Sequence, residues 1–290
     1  MGKTIWELDF YSRPIFDENR KKRWEVLICE SPMDVTQAPD TLFRFSRFTD
    51  NQSVNSAWLK GAIQEAIAQA PNPPQRIRFF RRQMNNMILK ACEDAGIPAA
   101  PSRRTYALTQ WLDERTKSVY PQEEGYDESA AKTSTVQYPA MNAIALPDAV
   151  RGDKADRWAI VSLPAGDFAE LPDWEIAFGE SFPLTMLGID DQTPIPGLII
   201  FSPRATPLAG WMSGLELGYL HLETKPVPRL WLETGASDSW ILVDLKTPDT
   251  LKEGQEFEAA LARAHGVHFL AIQSPQESEA FAGFWLLKTP

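Results

Sequence analysis

Hydrophobic and polar positions alternate from the start of the chain: Trp6, Leu8 and Phe10 fall on one side of an extended segment, and Glu7, Asp9 and Tyr11 on the other. This period-2 pattern predicts a strand over Thr4 to Tyr11 with one dry and one polar face. Trp24 to Cys29 is apolar on both faces, which predicts a more central second strand over Arg23 to Glu30. Asp17, Glu18 and Asn19 supply turn chemistry between the two. A third strand is expected over Leu42 to Phe48. The period then changes, with Leu59, Ala62, Ile63, Ala66, Ile67 and Ala70 recurring as the core-facing stripe of a helix, which Pro71, Pro73 and Pro74 end. A short strand, Arg76 to Phe80, leads into a second helix striped with Met84, Met87, Ile88, Ala91, Cys92 and Ala95 and stopped by Gly96. Another short strand around Ile97 to Ala100 leads, through Ser102 as N-cap, into a third helix with Leu108, Trp111, Leu112 and Arg115 on one side. The order βββαβαβα is that of ribonuclease-H-like folds.

Between Tyr120 and Asp156 the pattern turns polar and acidic, as in PQEEGYDESAAKTSTVQYP. We read residues 121–155 as a linker between a domain at 1–120 and a second at 156–290. In the second half, Leu215 to Glu223, Arg229 to Glu233 and Trp240 to Leu245 predict strands. A helix carrying Phe257, Ala260, Leu261 and Ala264 follows, closed by Gly266. Then come a strand (Val267 to Gln273), a short acidic helical turn (Pro275 to Ala280) and a last strand (Gly283 to Lys288). Trp158 to Met212 adds strands and a short helix after Ser202. The fold class is α/β with mixed sheets in two domains. A second unit related to the first is one option, but no repeat in the sequence marks a duplication.

The formal charge of −10 at first argues against a polyanionic partner. Its distribution does not: through Tyr120 there are 18 Lys/Arg against 14 Asp/Glu, and beyond it 11 against 25. The first domain can therefore meet a polyanion, and the second is solvated or meets a basic protein partner. No apolar run reaches the roughly 20 residues of a membrane span, and MGKTIWELDF has no signal or transit character, so a cytoplasmic protein without membrane insertion is expected. Cys29 and Cys92 fall inside elements, as buried reduced thiols do.

Two helix starts in the first half carry paired cations, Arg81-Arg82 and Arg103-Arg104. Positive side chains there oppose the helix dipole, and a bound anion would remove the conflict. Arg76, Arg78 and Phe80 lie just upstream of one pair, so guanidinium and aromatic groups occur together, as single-stranded nucleic acid requires. Arg20, Lys21, Lys22 and Arg23 at the first hairpin tip would extend a phosphate track. Phe80, Tyr11 and Tyr106 are candidates for stacking on unpaired bases.

A metal-dependent nuclease would need several carboxylates. Asp9 and Glu65 are placed for that, but the strand that should deliver another ends in Phe79-Phe80-Arg81-Arg82. His221, His265 and His268 form no zinc spacing with the cysteines. No P-loop, dinucleotide fingerprint or G-x-S-x-G elbow occurs, and no metal, cofactor or catalytic residue is expected. Ser202-Pro203-Arg204 repeats the strand-to-Arg-bearing-helix arrangement and reads as a packing corner. Glu253, Glu256, Glu258, Glu277 and Glu279 form an acidic surface.

The blocks WELDFYSRPIFDENRKKRWEVLICE, RIRFFRRQMNNMILKACEDAGIPAAPSRRTYALTQWL, IPGLIIFSPRATPLAGWMSGLE, HFLAIQ and GFWLL resemble the Tab-two/Atab-two family of cyanobacteria and plastids over nearly the whole chain. The resemblance implies a non-enzymatic RNA-binding factor. Such a factor binds A/U-rich 5′ leaders and promotes translation of photosystem I messages of the psaB type. It would be cytoplasmic in a cyanobacterium and stromal in plastid relatives. The alternatives are a scaffold that recruits a protein partner through the acidic domain, or a divergent nuclease.

Overall fold

The computed structural model describes residues 4–131, 142–152, 155–274 and 280–289. Residues 132–141 and 153–154 of the linker, and residues 275–279 of the acidic turn with Glu277 and Glu279, lie outside the described residues. The chain divides into two compact units, one made of Met1–Ser31 and Asp40–Tyr138, the other of Pro32–Pro39 and Pro139–Pro290.

The first unit contains β1 (Ile5–Phe16), β2 (Lys22–Glu30), β3 (Arg44–Thr49), α1 (Ser56–Gln69), β4 (Arg76–Phe79), α2 (Asn85–Asp94), β5 (Ala99–Pro101), α3 (Tyr106–Ser118) and a short α4 (Glu128–Ala131). Its sheet has the order β3-β2-β1-β4-β5. β2 is antiparallel to both of its neighbours, whereas β4 runs parallel to β1 and to β5. β1, β3, β4 and β5 therefore point the same way. Their C-terminal ends, the starts of α1, α2 and α3, and the β1–β2 tip share one edge of the sheet. Ligands of α/β proteins settle at such edges.

The two sheet faces differ as the alternation predicts. Trp6, Leu8, Phe10, Val26, Ile28, Ile77 and Phe79 pack under α1 and α2 against Leu59, Ile63, Ile88 and Cys92. The opposite face carries Glu7, Asp9 and Glu25, all fully buried, and α3 packs against β1 and β2. Cys29 and Cys92 are buried free thiols.

β1 runs past Tyr11 because Ser12 and Phe16 still pair with Trp24 and Lys22 around an irregularity. The acidic stretch after Tyr120 adds support: Gly125 carbonyl accepts from Phe16 N–H at 2.8 Å, and Tyr126 bridges Ile15. Gly125 has φ +84°, and a Cβ there would lie 2.0 Å from the Phe16 carbonyl oxygen. Only glycine allows that approach.

The second unit contains β6 (Ile144–Ala145), β7 (Arg157–Pro164), β8 (Ile176–Glu180), β9 (Pro194–Phe201), α5 (Ala205–Ser213), β10 (Leu217–Glu223), β11 (Arg229–Thr234), β12 (Asp238–Asp244), α6 (Pro248–Arg263), β13 (Val267–Gln273) and β14 (Phe281–Lys288). These strands form two sheets, β10-β11-β12-β6 and β7-β9-β13-β14-β8. Leu198, Ile200, Leu208, Met212, Leu220 and Leu232 belong to the core of this unit. Thr247 and Thr250 cap α6 reciprocally, a capping box with Pro248 at its first turn.

His268 is fully buried in this unit. Its Nε2 accepts from Leu220 N–H at 2.8 Å and its Nδ1 lies 2.9 Å from the Gly266 carbonyl, so the neutral ring with the proton on Nδ1 satisfies both contacts. Burial, against a smaller opposing effect of the Gly266 carbonyl, lowers its pKa to about 4. The unfolded chain takes up this proton near 6.5 and the folded chain resists it, so stability should fall as pH drops from about 6.5 toward 4, by about 3 kcal/mol in all. Urea unfolding between pH 7 and 4.5 checks this: His268→Gln should flatten the dependence, and equal slopes in both proteins would count against it. Among the described residues, no helix is long and apolar enough to cross a membrane.

Candidate nucleic-acid interface

A buried ionic network underlies the sheet edge. Asp9 Oδ1 accepts from Arg81 Nε at 2.7 Å, and Oδ2 accepts from Arg81 Nη2 at 3.2 Å and Arg13 Nη1 at 2.9 Å. Arg13 Nε also donates to Glu25 Oε2 at 2.8 Å, where Tyr120 Oη donates at 2.6 Å, and Arg115 donates to Glu25 Oε1. Burial would raise the Asp9 pKa, but the Arg13 and Arg81 charges outweigh it and hold the carboxyl below its usual value. Burial and the Glu25 carboxylate push the Tyr120 phenol up, so it acts as a donor.

The two cationic helix starts look different once their partners are in place. Arg81 does not open α2. A 3-10 turn, Arg82–Met84, intervenes, and α2 begins at Asn85 with no side-chain cap. Arg81 is 6% exposed and held by Asp9, whereas Arg82 is exposed. At α3 the cap residue is Thr105 rather than Ser102. Ser102 Oγ accepts instead from Arg104 N–H at 2.9 Å. Glu7 Oε2 accepts from Leu108 N–H at 2.7 Å, and Glu7 Oε1 from Ser31 Oγ at 2.6 Å. The anion seat expected at the start of α3 is thus filled from within by Glu7. Arg103 and Arg104, in the segment just before α3, are buried.

Arg78 lies on the buried polar face, cross-strand from Glu7. Arg76 begins β4 and so sits at the opposite end of the sheet from Arg81. Phe80 is buried, with the Arg81 guanidinium 5.0 Å from its ring centroid. Tyr106 is half-buried, 5.4 Å from the Arg104 guanidinium. Glu65 is engaged in an exposed pair with Arg47 at 2.7 Å. At the hairpin tip, Asp17 Oδ1 accepts from Asn19 and Lys21 N–H at 2.9 and 2.8 Å, an Asx-type turn that bears the exposed Arg20, Lys21 and Lys22. Arg23 is half-buried, pairing with Glu123 at 3.3 Å and lying 4.3 Å from the Phe48 ring centroid.

The edge therefore combines exposed cations (Arg20, Lys21, Lys22 and Arg82) with arginines fixed beneath them. It also bears the half-buried rings of Tyr11, Trp24 and Trp58. Sequence patterns did not single out Arg13, Trp24 or Trp58, although the crowding of Trp with Arg around both hairpin strands was the available signal. Asp9 is not open to a metal, because two guanidinium groups already occupy its oxygens. In the second unit, Arg204 Nη1 donates to the Asp148 and Ala149 carbonyls at 3.3 and 2.8 Å, and Ser202 Oγ accepts from Arg204 N–H at 3.0 Å. Both are packing contacts. Glu253 and Glu256 are exposed, whereas Glu258 also accepts from Leu222 N–H at 3.0 Å.

Residues 5–115 match the family described as RNA-binding protein Tab2/Atab2 N terminal, and residues 133–288 match RNA-binding protein Tab2/Atab2, C-terminal domain. A Zea mays protein named Protein TAB2 homolog, chloroplastic, is 37% identical over 289 residues, covering 97% of this chain and 70% of the relative. An Arabidopsis thaliana protein of the same name is 37% identical over 290 residues, covering 97% of this chain and 74% of the relative.

Proposed function

Because the chain belongs to the Tab2/Atab2 family of RNA-binding proteins, which it matches in both domains, we propose that it binds single-stranded, A/U-rich 5′ leaders and promotes translation of photosystem I messages of the psaB type. The observation that carries this reading is the gathering of exposed cations and half-buried rings on one sheet edge. Arg20, Lys21, Lys22 and Arg82 take phosphates. Arg81, paired with Asp9, and the buried Arg103 and Arg104 support the edge from below, and Arg23 guides the strand past Phe48. Unpaired bases offer ring faces that a duplex hides, so single strands are favoured.

We also propose a ribonuclease-H-like architecture for the first unit, adapted to binding rather than cleavage. The support is the βββαβαβα order with sheet order β3-β2-β1-β4-β5 and an Asp9 carboxylate neutralised by Arg13 and Arg81. The setting is the cytoplasm of a photosynthetic bacterium, by analogy with relatives named chloroplastic. The test is fluorescence anisotropy with labelled 12-nucleotide A/U-rich single strands, G/C-rich single strands and duplexes. The A/U-rich single strand should bind most tightly. Equal affinity for the duplex would overturn the single-strand assignment, and equal affinity for the G/C-rich strand the base preference.

A further inference from the structure

Trp24 lies in the first turn-proximal residues of β2 (Lys22–Glu30), near the β1–β2 tip, and is the pivot of a continuous aromatic series. Its ring lies 5.7 Å from Tyr11 and 5.6 Å from Phe10, and Phe10 in turn stacks on Trp58 at 5.4 Å and 13°. Three guanidinium groups cover neighbouring rings: Arg81 lies 4.0 Å from Tyr11, Arg47 5.1 Å from Trp58 and Arg23 4.3 Å from Phe48. Among the described residues, none covers Trp24. Its indole is instead fixed in plane by a 3.0 Å hydrogen bond from Nε1 to Asn51 Oδ1. Register places Trp24 across from Thr49, and Val26 across from Arg47, so the ring and the Arg47 guanidinium share one sheet face, next to α1.

We infer that Trp24 is a stacking platform for one unpaired RNA base. The inference rests on the RNA-binding reading above and adds the residue that holds the base. A half-buried, immobilised indole gives contact area at little entropic cost. The exposed Arg20, Lys21, Lys22 and Arg82 make this edge complementary to a polyanion. Lateral guanidinium groups leave one ring for the base, and the Asn51 bond sets its orientation before binding.

The test compares Trp24→Leu, which keeps an apolar side chain but loses the π face, with Trp24→Phe, which keeps a ring. Binding of a labelled oligouridine 12-mer is followed by anisotropy across a salt series. Trp24→Leu should weaken binding about 10-fold or more with the salt slope unchanged, and Trp24→Phe should stay within about 3-fold of the parent. If Trp24→Leu binds as the parent does while alanines at Arg20, Lys21, Lys22 and Arg82 weaken binding, RNA binding stands and the stacking assignment falls. If the parent binds no RNA, both fall. Because Phe10 packs on Trp24, a folding defect is guarded against by crosslinking the unaltered protein to 5-iodouracil-substituted RNA. Crosslinks at Trp24 support the platform, and crosslinks confined to other residues overturn it.

Discussion

Replacing Asp9 by Ala should destabilise the protein by about 3–5 kcal/mol, because it leaves Arg13 and Arg81 buried without their shared carboxylate. The loss is a large fraction of the 5–15 kcal/mol that typically holds a domain together. Arg13 retains Glu25 at 2.8 Å, so the larger part of the penalty falls on Arg81, whose acidic partner at the 6%-exposed site is Asp9. Arg82→Ala provides the contrast: its side chain is exposed, and the unfolding midpoint should stay within the scatter expected of surface substitutions. Urea unfolding followed by circular dichroism reads both variants, and an unshifted Asp9→Ala midpoint would contradict the network. Acid supplies the same perturbation reversibly. The Asp9 pKa is depressed in the folded chain, so its contribution is complete above the ordinary value of 3.8 and is lost as pH falls through the folded value. His268 acts at higher pH, between about 6.5 and 4, so the two groups separate along an acid titration.

Much of the first unit was legible because its elements are short, periodic and punctuated. Alternation around Trp6 to Tyr11 and the 3.6-period stripe from Leu59 to Ala66 survive in the structure as strand and helix faces. What escaped depended on partners far along the chain. Arg13 is an unremarkable cation until Glu25 and Tyr120 are seen against it. Arg81 reads as an open anion site while its carboxylate partner, Asp9, lies 72 residues earlier, and the α3 start reads as one while Glu7, 101 residues before the Leu108 N–H it accepts from, already fills it. Local helix-dipole logic was sound in asking for an anion at the α3 start, and the chain supplies its own. The second half of β1 was missed because Ser12 and Pro14 interrupt the alternation, and Tyr126 is needed to pair Ile15. Ser102 resembles a helix cap in sequence, yet its hydroxyl bonds to Arg104 N–H two residues before α3 begins.

The candidate interface separates accordingly into a buried scaffold and an exposed contact layer. Changing the scaffold should alter folding, and changing the contact layer should alter binding alone. The decisive variant combines alanine at Arg20, Lys21, Lys22 and Arg82. Each is exposed, and α2, which follows Arg82, has no side-chain cap. A single strand releases about 0.7 counterion per phosphate contact. Four lost contacts should therefore make log K against log salt shallower by about 3 and weaken binding up to about 100-fold near 0.1 M salt. Fold and thermal midpoint should be preserved, which distinguishes this loss from that of Asp9→Ala.

The most direct measurement is therefore the affinity of an A/U-rich single-stranded RNA for the parent protein and this four-site variant over a sodium chloride series. Binding should be weaker and its salt dependence shallower in a variant that melts with the parent. Equal affinity and equal slope would rule out this edge as the RNA site.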